Sequence, residues 1–265
     1  MKAILLGLVQ GLTEFLPISS SGHLVITSHL LDFQGAGVAF DIFVHFGTLV
    51  AVIVVFRKEL TAMVKAPFAL RRGTLDEETR TYFLWDIYVV VATIPAVFAG
   101  LLLKDSIEEI FSSLTLVYAM LALTGVLMLL TRKLPERGVV LNCPRSLVIG
   151  CAQAMAILPG LSRSGSTIFA GMALGVDREV TARFSFIMSI PAILGAVVLQ
   201  MKELIGSTPD QETILCVAGG TIAAMASGYA AIILLLEIVR RNRLVWFGYY
   251  CLLVSALGFG SVLLS

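Results

Sequence analysis

The sequence predicts an all-α polytopic membrane protein, with six transmembrane helices and two re-entrant helix hairpins in an inverted-topology repeat. Three observations carry this. Of 265 residues 58% are hydrophobic and 14% charged, with a mean hydropathy of +0.94, whereas soluble chains hold about 45–50% apolar and about 25% charged residues. Six segments are apolar over the length that a helix needs to cross a bilayer, about 20 residues. Two more apolar regions are each cut near the middle by Pro, Gly, Ser and charge, and they match each other in spacing.

The elements follow in chain order. Met1-Lys2-Ala3-Ile4-Leu5 could open a signal peptide, but the apolar stretch runs on into Glu14 and Pro17 with no small-residue cleavage site, so it is expected to stay in the mature protein. It belongs to the first interrupted region, 3–31, and the spans 38–56, 85–103 and 114–131 come next. The second interrupted region, 146–176, is followed by spans 183–201, 213–237 and 246–264. The chain is expected to be a single membrane domain, with one copy of the repeat over 1–131 and the other over 145–265. Cys143, Cys151, Cys216 and Cys251 lie far apart without a CxxC pair, which suggests neither a zinc site nor a disulfide framework.

Basic residues set the expected orientation, because cytoplasmic loops carry the Lys and Arg excess. Arg57, Lys58, Lys65, Arg71, Arg72 and Arg80 follow the first span, Arg132, Lys133, Arg137 and Arg145 the third, and Arg240, Arg241 and Arg243 the fifth. The loops after the second and fourth spans hold only Lys104 and Lys202, beside Asp105, Glu108, Glu109, Glu203, Asp210 and Glu212. Under this alternation 146–176 starts and ends on the cytoplasmic side, and 3–31 either enters and leaves from the opposite face or adds an extra crossing. Both are read as re-entrant hairpins, whose non-helical backbone must be buried by protein or lined by water.

The two hairpins also read as copies. Gln10 precedes Gly22 by twelve residues and Gln153 precedes Gly165 by twelve, with Leu16-Pro17 and Leu158-Pro159 between, each followed by a Ser-rich turn. Each leads to a span opening on Phe, at Phe40 and Phe184. Three crossings per copy invert the second, the arrangement known from transporter folds.

The polar residues of the hairpins suggest anion chemistry. Gln10 and Glu14 share one helical face. Pro17 interrupts that helix, and Ser19, Ser20 or Ser21 can cap a new one that runs through His23. In the second hairpin Pro159-Gly160 breaks the chain and Ser162-Arg163-Ser164-Gly165-Ser166-Thr167 opens the next half-helix. Half-helix N-termini near mid-bilayer attract phosphate, and Arg163 adds a fork of donors that suits phosphate oxygens. The candidate phosphate ligands are Ser19 and Ser21 with Ser162, Arg163, Ser164, Gly165 and Thr167. A carboxylate near phosphate implies an intervening divalent metal or proton handling, the part expected of Glu14 with Gln10 beside it. His23 can shuttle a proton or attack phosphorus, Ser20 can attack or donate a hydrogen bond, and the sequence does not choose between them.

Other polar residues take plainer readings. His29, His45 and Thr48 are expected to pack within helices, and Lys2, Asp32, Asp41, Arg57, Asp86 and Glu237 to sit at interfaces. Gln153 reads as a structural echo of Gln10. Glu14 and Arg163 differ because each lies beside a helix break in an apolar segment, where charge is a functional-site hypothesis by default.

At these residues a resemblance becomes specific. Gln10-Gly11-Leu12-Thr13-Glu14-Phe15-Leu16-Pro17-Ile18-Ser19-Ser20-Ser21-Gly22-His23 resembles the Glu/Gln-x-x-x-Glu motif and serine-histidine stretch of the undecaprenyl-diphosphate phosphatase family, the bacitracin-resistance proteins of bacteria. Pro159-Gly160-Leu161-Ser162-Arg163-Ser164-Gly165-Ser166-Thr167 resembles its PGxSRSxxT motif, and Arg183-Phe184-Ser185-Phe186 and the chain length also fit. The resemblance implies hydrolysis of undecaprenyl diphosphate to undecaprenyl phosphate and inorganic phosphate with a divalent cation, Mg or Ca. It puts Glu14 in the place of the family's essential glutamate, Ser20 and His23 in the places of its serine and histidine, and Ser162, Arg163 and Thr167 in its second motif. Gln10 departs from the many relatives with a second glutamate there, which leaves more of any metal binding to Glu14.

The expected function is therefore a plasma-membrane phosphatase that recycles the lipid carrier of wall polymers, with Glu14, Ser20, His23 and Arg163 catalytic and Glu14 and Gln10 on the metal. Expected partners are a polyprenyl diphosphate lipid and the bilayer, with homodimer formation open and no nucleic acid. The rival is a transporter or flippase for an anionic lipid or small anion, since its fold class is the same. A structural subunit without chemistry leaves both polar hairpins unexplained.

Overall fold

The computed structural model describes residues 1–31, 37–73, 76–102, 113–201 and 210–264, which form eleven α-helices. No strand forms among them, and one isolated bridge joins Val139 to Val176. Asp32, Leu103, Lys104, Asp105, Glu108, Glu109, Lys202 and Glu203 lie outside the described residues, as does the side chain of His29.

The first interrupted region is two helices, α1 (Lys2–Phe15) and α2 (Ser20–Leu31). Pro17 lacks an N–H and forces its predecessor out of the helical region, and Leu16 is extended at φ −67° and ψ 143°. The second is α7 (Cys143–Met155) and α8 (Arg163–Ala173), broken at Pro159-Gly160, where Gly160 has φ +90°. A Cβ at Gly160 would also lie 2.2 Å from the Val117 carbonyl oxygen, so this turn needs glycine twice over.

The six expected spans fall on α3 (Gly37–Val55), α5 (Glu77–Leu102), α6 (Leu114–Leu130), α9 (Arg178–Met201), α10 (Gln211–Arg240) and α11 (Val245–Leu264). Five of these are long and apolar enough to cross a membrane, and α3 makes six when it is counted with the helix that follows it. With 19 residues α3 is about 28 Å long, close to the roughly 30 Å hydrocarbon core. Helices α5 and α9 begin earlier than the apolar runs because their first turns, with Glu77, Glu78 and Arg80 and with Arg178 and Glu179, are polar yet helical. Hydropathy sees only what faces lipid. Outside the spans, hydrogen bonds from the Thr79 side chain and from its N–H at 2.7 Å hold the Asp76 carboxyl below the usual range, and those from the Thr213 side chain and its N–H at 3.0 Å do the same for Asp210.

The basic segment after the first span is also a helix, α4 (Arg57–Arg72), set at 76° to α3 and closed by Gly73 at φ +69°. The sequence marks this segment as a loop, since no apolar run is present. Its signal is periodic instead: Leu60, Met63, Val64 and Phe68 recur at helical spacing among Arg and Lys, the pattern of an amphipathic helix.

Small residues set the helix contacts that carry the hairpins. A Cβ at Gly7 of α1 would lie 2.2 Å from the Gly220 oxygen of α10, and one at Gly150 of α7 would lie 2.2 Å from the Ala92 oxygen of α5. Backbone approach of this kind is the usual source of helix association in lipid. The neighbours correspond: α1 packs on α10 and α10 on α3, while α7 packs on α5 and α5 on α9, and the pairs α6–α11 and α3–α9 complete the bundle. At the inner end of α1, Phe15 meets Phe186 of α9 edge-on at 5.7 Å, and Phe186 meets Phe56 at 5.9 Å. That aromatic cluster fixes the residue next to Glu14.

Candidate active site

Glu14 is the centre of the site. It is 6% exposed, and a carboxylate so deeply buried must be paired. Its Oε2 accepts from Gln10 Nε2 at 3.0 Å, one turn back on the same face of α1. The Pro17 break folds the chain over, so the first turn of α2 returns to the end of α1 and Ser20 Oγ donates to the same Oε2 at 2.5 Å. From the other hairpin, the first residue of α8 reaches across: Arg163 Nη2 forms an ion pair with Glu14 Oε1. Both carboxylate oxygens are thus engaged. Arg163 Nη1 and Gln10 Oε1 are buried without a hydrogen-bond partner.

The two turns share one local geometry. Ser19 Oγ accepts from the Gly22 N–H at 3.3 Å and lies 3.3 Å from Ser21 Oγ. Ser162 Oγ accepts from the Gly165 N–H at 3.1 Å and lies 3.2 Å from Ser164 Oγ. Each serine caps its half-helix in the usual way. Ser19 does so with φ 68°, an uncommon conformation for a residue with a side chain and one that clusters at functional sites. The turns are also stitched together: Ser164 Oγ donates to the Leu16 carbonyl at 3.2 Å and the Gly160 N–H to Ser21 Oγ at 3.5 Å. Thr124 of α6 pins the second turn by accepting from the Ser162 N–H at 2.9 Å and donating to the Gly160 carbonyl at 3.1 Å.

A cavity of about 630 Å³ opens on this cluster. Its polar end is formed by Glu14, Ser19, Ser20, Ser21, Ser162 and Arg163. The rest is largely apolar, with Val97 and Leu101 of α5 on one side and Ile193, Val198 and Leu199 of α9 on the other. An anionic head beside a hydrocarbon tail is what such a space fits.

The other residues singled out in the sequence stand behind this surface. Gln10 supports Glu14, Ser164 and Gly165 hold the turn, and Thr167 Oγ1 bonds the Arg163 carbonyl at 2.8 Å and Ser185 Oγ at 2.5 Å, locking α8 onto α9. His23 does not line the cavity. Its Nδ1 lies 2.9 Å from the Ser19 carbonyl, which can only accept, so Nδ1 carries the proton and Nε2 accepts from the Tyr250 hydroxyl at 2.8 Å. The two rings also stack, with centroids 5.5 Å apart. Both ring nitrogens are therefore occupied.

Sequence reasoning missed Tyr250 and Thr124, whose partners are distant in the chain, and three residues of the cavity wall: His45, Thr93 and Gln153. Gln153 had a signal, the twelve-residue echo of Gln10, which was read as structural. His45 was read as packing, yet its ring borders the cavity with Nδ1 on the Asp41 carbonyl at 2.7 Å.

A hydroxyl, a carboxylate and a guanidinium at the polar end of an apolar cavity can transfer a group from a phosphate, the hydroxyl attacking, the carboxylate taking its proton and the guanidinium holding oxygens. Among the described residues no group of three or more His, Cys, Asp and Glu converges. Of the two residues expected on a metal, Glu14 lines the cavity, whereas Gln10 is fully buried behind it with its Oε1 partnerless.

Residues 3–257 match the family described as Bacitracin resistance protein BacA. The undecaprenyl-diphosphatase of Methanobrevibacter smithii is 41% identical over 276 residues, covering 99% of this chain and 98% of the relative. That of Salinibacter ruber is 40% identical, covering 97% of each chain. That of Halothermothrix orenii is 41% identical, covering 96% of this chain and 95% of its own. With a match along nearly its whole length, the chain belongs to the BacA family of bacitracin-resistance proteins.

Proposed function

We propose that this multi-pass membrane protein is an undecaprenyl-diphosphate phosphatase, a hydrolase that converts undecaprenyl diphosphate to undecaprenyl phosphate and inorganic phosphate. It thereby returns the lipid carrier of wall polymers to use and confers bacitracin resistance. The relatives' names supply the substrate. The observation that carries the chemistry is the 2.5 Å hydrogen bond from Ser20 Oγ to the Glu14 carboxylate at the polar end of an otherwise apolar cavity.

The residues divide the work as follows. Diphosphate enters the polar end while the prenyl tail lies between α5 and α9, against Val97, Leu101 and Ile193. Arg163 is held by Glu14 through Nη2 and offers Nη1 to a phosphate oxygen. Ser20 Oγ attacks the terminal phosphorus as its proton passes to Glu14, the bond from that phosphorus to the bridging oxygen breaks, and undecaprenyl phosphate leaves. Water then attacks the phosphoserine, Ser20 recovers its proton from Glu14, and inorganic phosphate departs. Glu14 would hold a hard divalent cation, Mg or Ca, with Gln10 supporting it from behind, and the cation would draw charge off the diphosphate. His23, engaged on both nitrogens, positions the backbone of Ser19 and so the first turn of α2.

The corresponding helix neighbours and the duplicated serine turns support a two-copy inverted repeat over 1–131 and 145–265. The basic clusters support a plasma-membrane orientation with Arg57, Arg132 and Arg240 cytoplasmic and the site open externally. The same repeat is what a flippase reading rests on. Purified protein in detergent, which has no two sides to transport between, separates the readings: phosphate release from undecaprenyl diphosphate that Ser20→Ala removes is expected. Release at the wild-type rate by Ser20→Ala would sink the serine mechanism, and no release by the wild type would sink the phosphatase.

A further inference from the structure

Gln153 is the least explained side chain at the cavity. It lies near the end of α7, is 3% exposed, belongs to the cavity wall, and has no hydrogen-bond partner on either amide atom. A buried primary amide with its donors and acceptor all unmet is costly, because it gave up its water without replacement. Its counterpart explains how this arises. Gln10 hands Nε2 to Glu14 four residues on, whereas four residues after Gln153 the chain carries Ile157. The second hairpin keeps the amide and lacks the carboxylate that would occupy it. Ser162 and Arg163 border the same cavity, and Arg163 Nη1 is a second unmet donor there. One occupant that presents several acceptor oxygens, a phosphate group, satisfies both.

We propose that Gln153 is a substrate-contact residue whose Nε2 donates to a non-bridging phosphate oxygen of the diphosphate, beside Arg163. This rests on the phosphatase reading and adds a specific ligand from α7 that neither signature motif contains. The contact is made to an oxygen that is anionic before and during phosphoryl transfer, so it supports substrate and transition state alike and shows in KM more than in kcat.

The test uses full-length protein in detergent with Gln153→Met, which keeps the volume and removes the amide, and Gln153→Glu, which keeps the size and turns the donor into an anion. Two measurements are made: phosphate release against undecaprenyl diphosphate concentration, and the shift in melting temperature on adding inorganic pyrophosphate. For Gln153→Met, KM is expected to rise about tenfold with kcat within about twofold, as for a lost hydrogen bond to a charged group. Gln153→Glu should raise KM further and abolish the pyrophosphate shift, while Gln153→Met melts at or above the wild-type temperature. Wild-type KM in both variants overturns the proposal. So does a lowered melting temperature with unchanged KM, or failure of both variants to fold, since each assigns Gln153 to packing. If the wild type releases no phosphate, the phosphatase reading falls, and the pyrophosphate shift alone decides Gln153: its loss in the variants upholds the contact and its persistence rejects it.

Discussion

In both hairpins a proline breaks the chain, and a serine two or three residues later caps a half-helix by accepting from the N–H three residues beyond it. A second serine sits two residues after the cap, at 3.3 Å in one hairpin and 3.2 Å in the other. Laid on that common frame, two of the differences carry charge into the site: Glu14 faces Ile157, and Ser20 faces Arg163. The first hairpin therefore brings a carboxylate and a hydroxyl, and the second brings a cation that closes the pair. The shared serine turn supplies the geometry, and the asymmetry between the hairpins supplies the chemistry.

Substitutions at the asymmetric positions should break the site hardest. Ser20→Ala and Glu14→Ala are expected to lower phosphate release by about a thousandfold or more, as loss of a nucleophile or its base does. Residual activity within tenfold of wild type would move the chemistry away from this pair. Arg163→Ala leaves Glu14 buried and unpaired, so melting in detergent should show a loss of about 3–5 kcal/mol along with activity. Arg163→Lys keeps the charge without the fork and should recover much of the stability and little of the turnover.

Substitutions at the shared frame should act on stability before chemistry, and unequally. Gly160→Ala must place a Cβ against the Val117 carbonyl at φ +90°, and a cost of about 1–3 kcal/mol is expected in thermal melting. Ser19→Gly loses a cap but relieves φ 68°, so its melting point should change by under about 1 kcal/mol. Equal losses at the two would mean that glycine does not relieve the backbone at Ser19. Smallest of all, Tyr250→Phe removes the partner of His23 Nε2, and about a tenfold fall in turnover or less is expected. A fall as deep as that of Ser20→Ala would restore His23 as the attacking group.

Much of this was legible in the sequence. Pro17 and Pro159-Gly160 announced the breaks, the serines after each break a new half-helix, and the apolar runs the spans, because each effect acts between residues a few positions apart. Helix α4 escaped because its apolar residues are spaced around a helix, leaving no continuous run to find. His23 could be found as a polar residue beside a break, but not its orientation, which Tyr250 sets from 227 residues away.

The sequence by itself determined an all-helical membrane protein, two broken hairpins, and the residues that carry charge within them, because hydropathy, proline sterics and capping are local. Only the tertiary structure decided that Arg163 meets Glu14, that Ser20 turns onto the same carboxylate while His23 turns away, and that Gln153 is left without a partner at the cavity. Those outcomes depend on how each helix is rotated about its axis. That rotation is set by backbone contacts such as Gly7 on Gly220 and Gly150 on Ala92, between segments whose proximity no local pattern records.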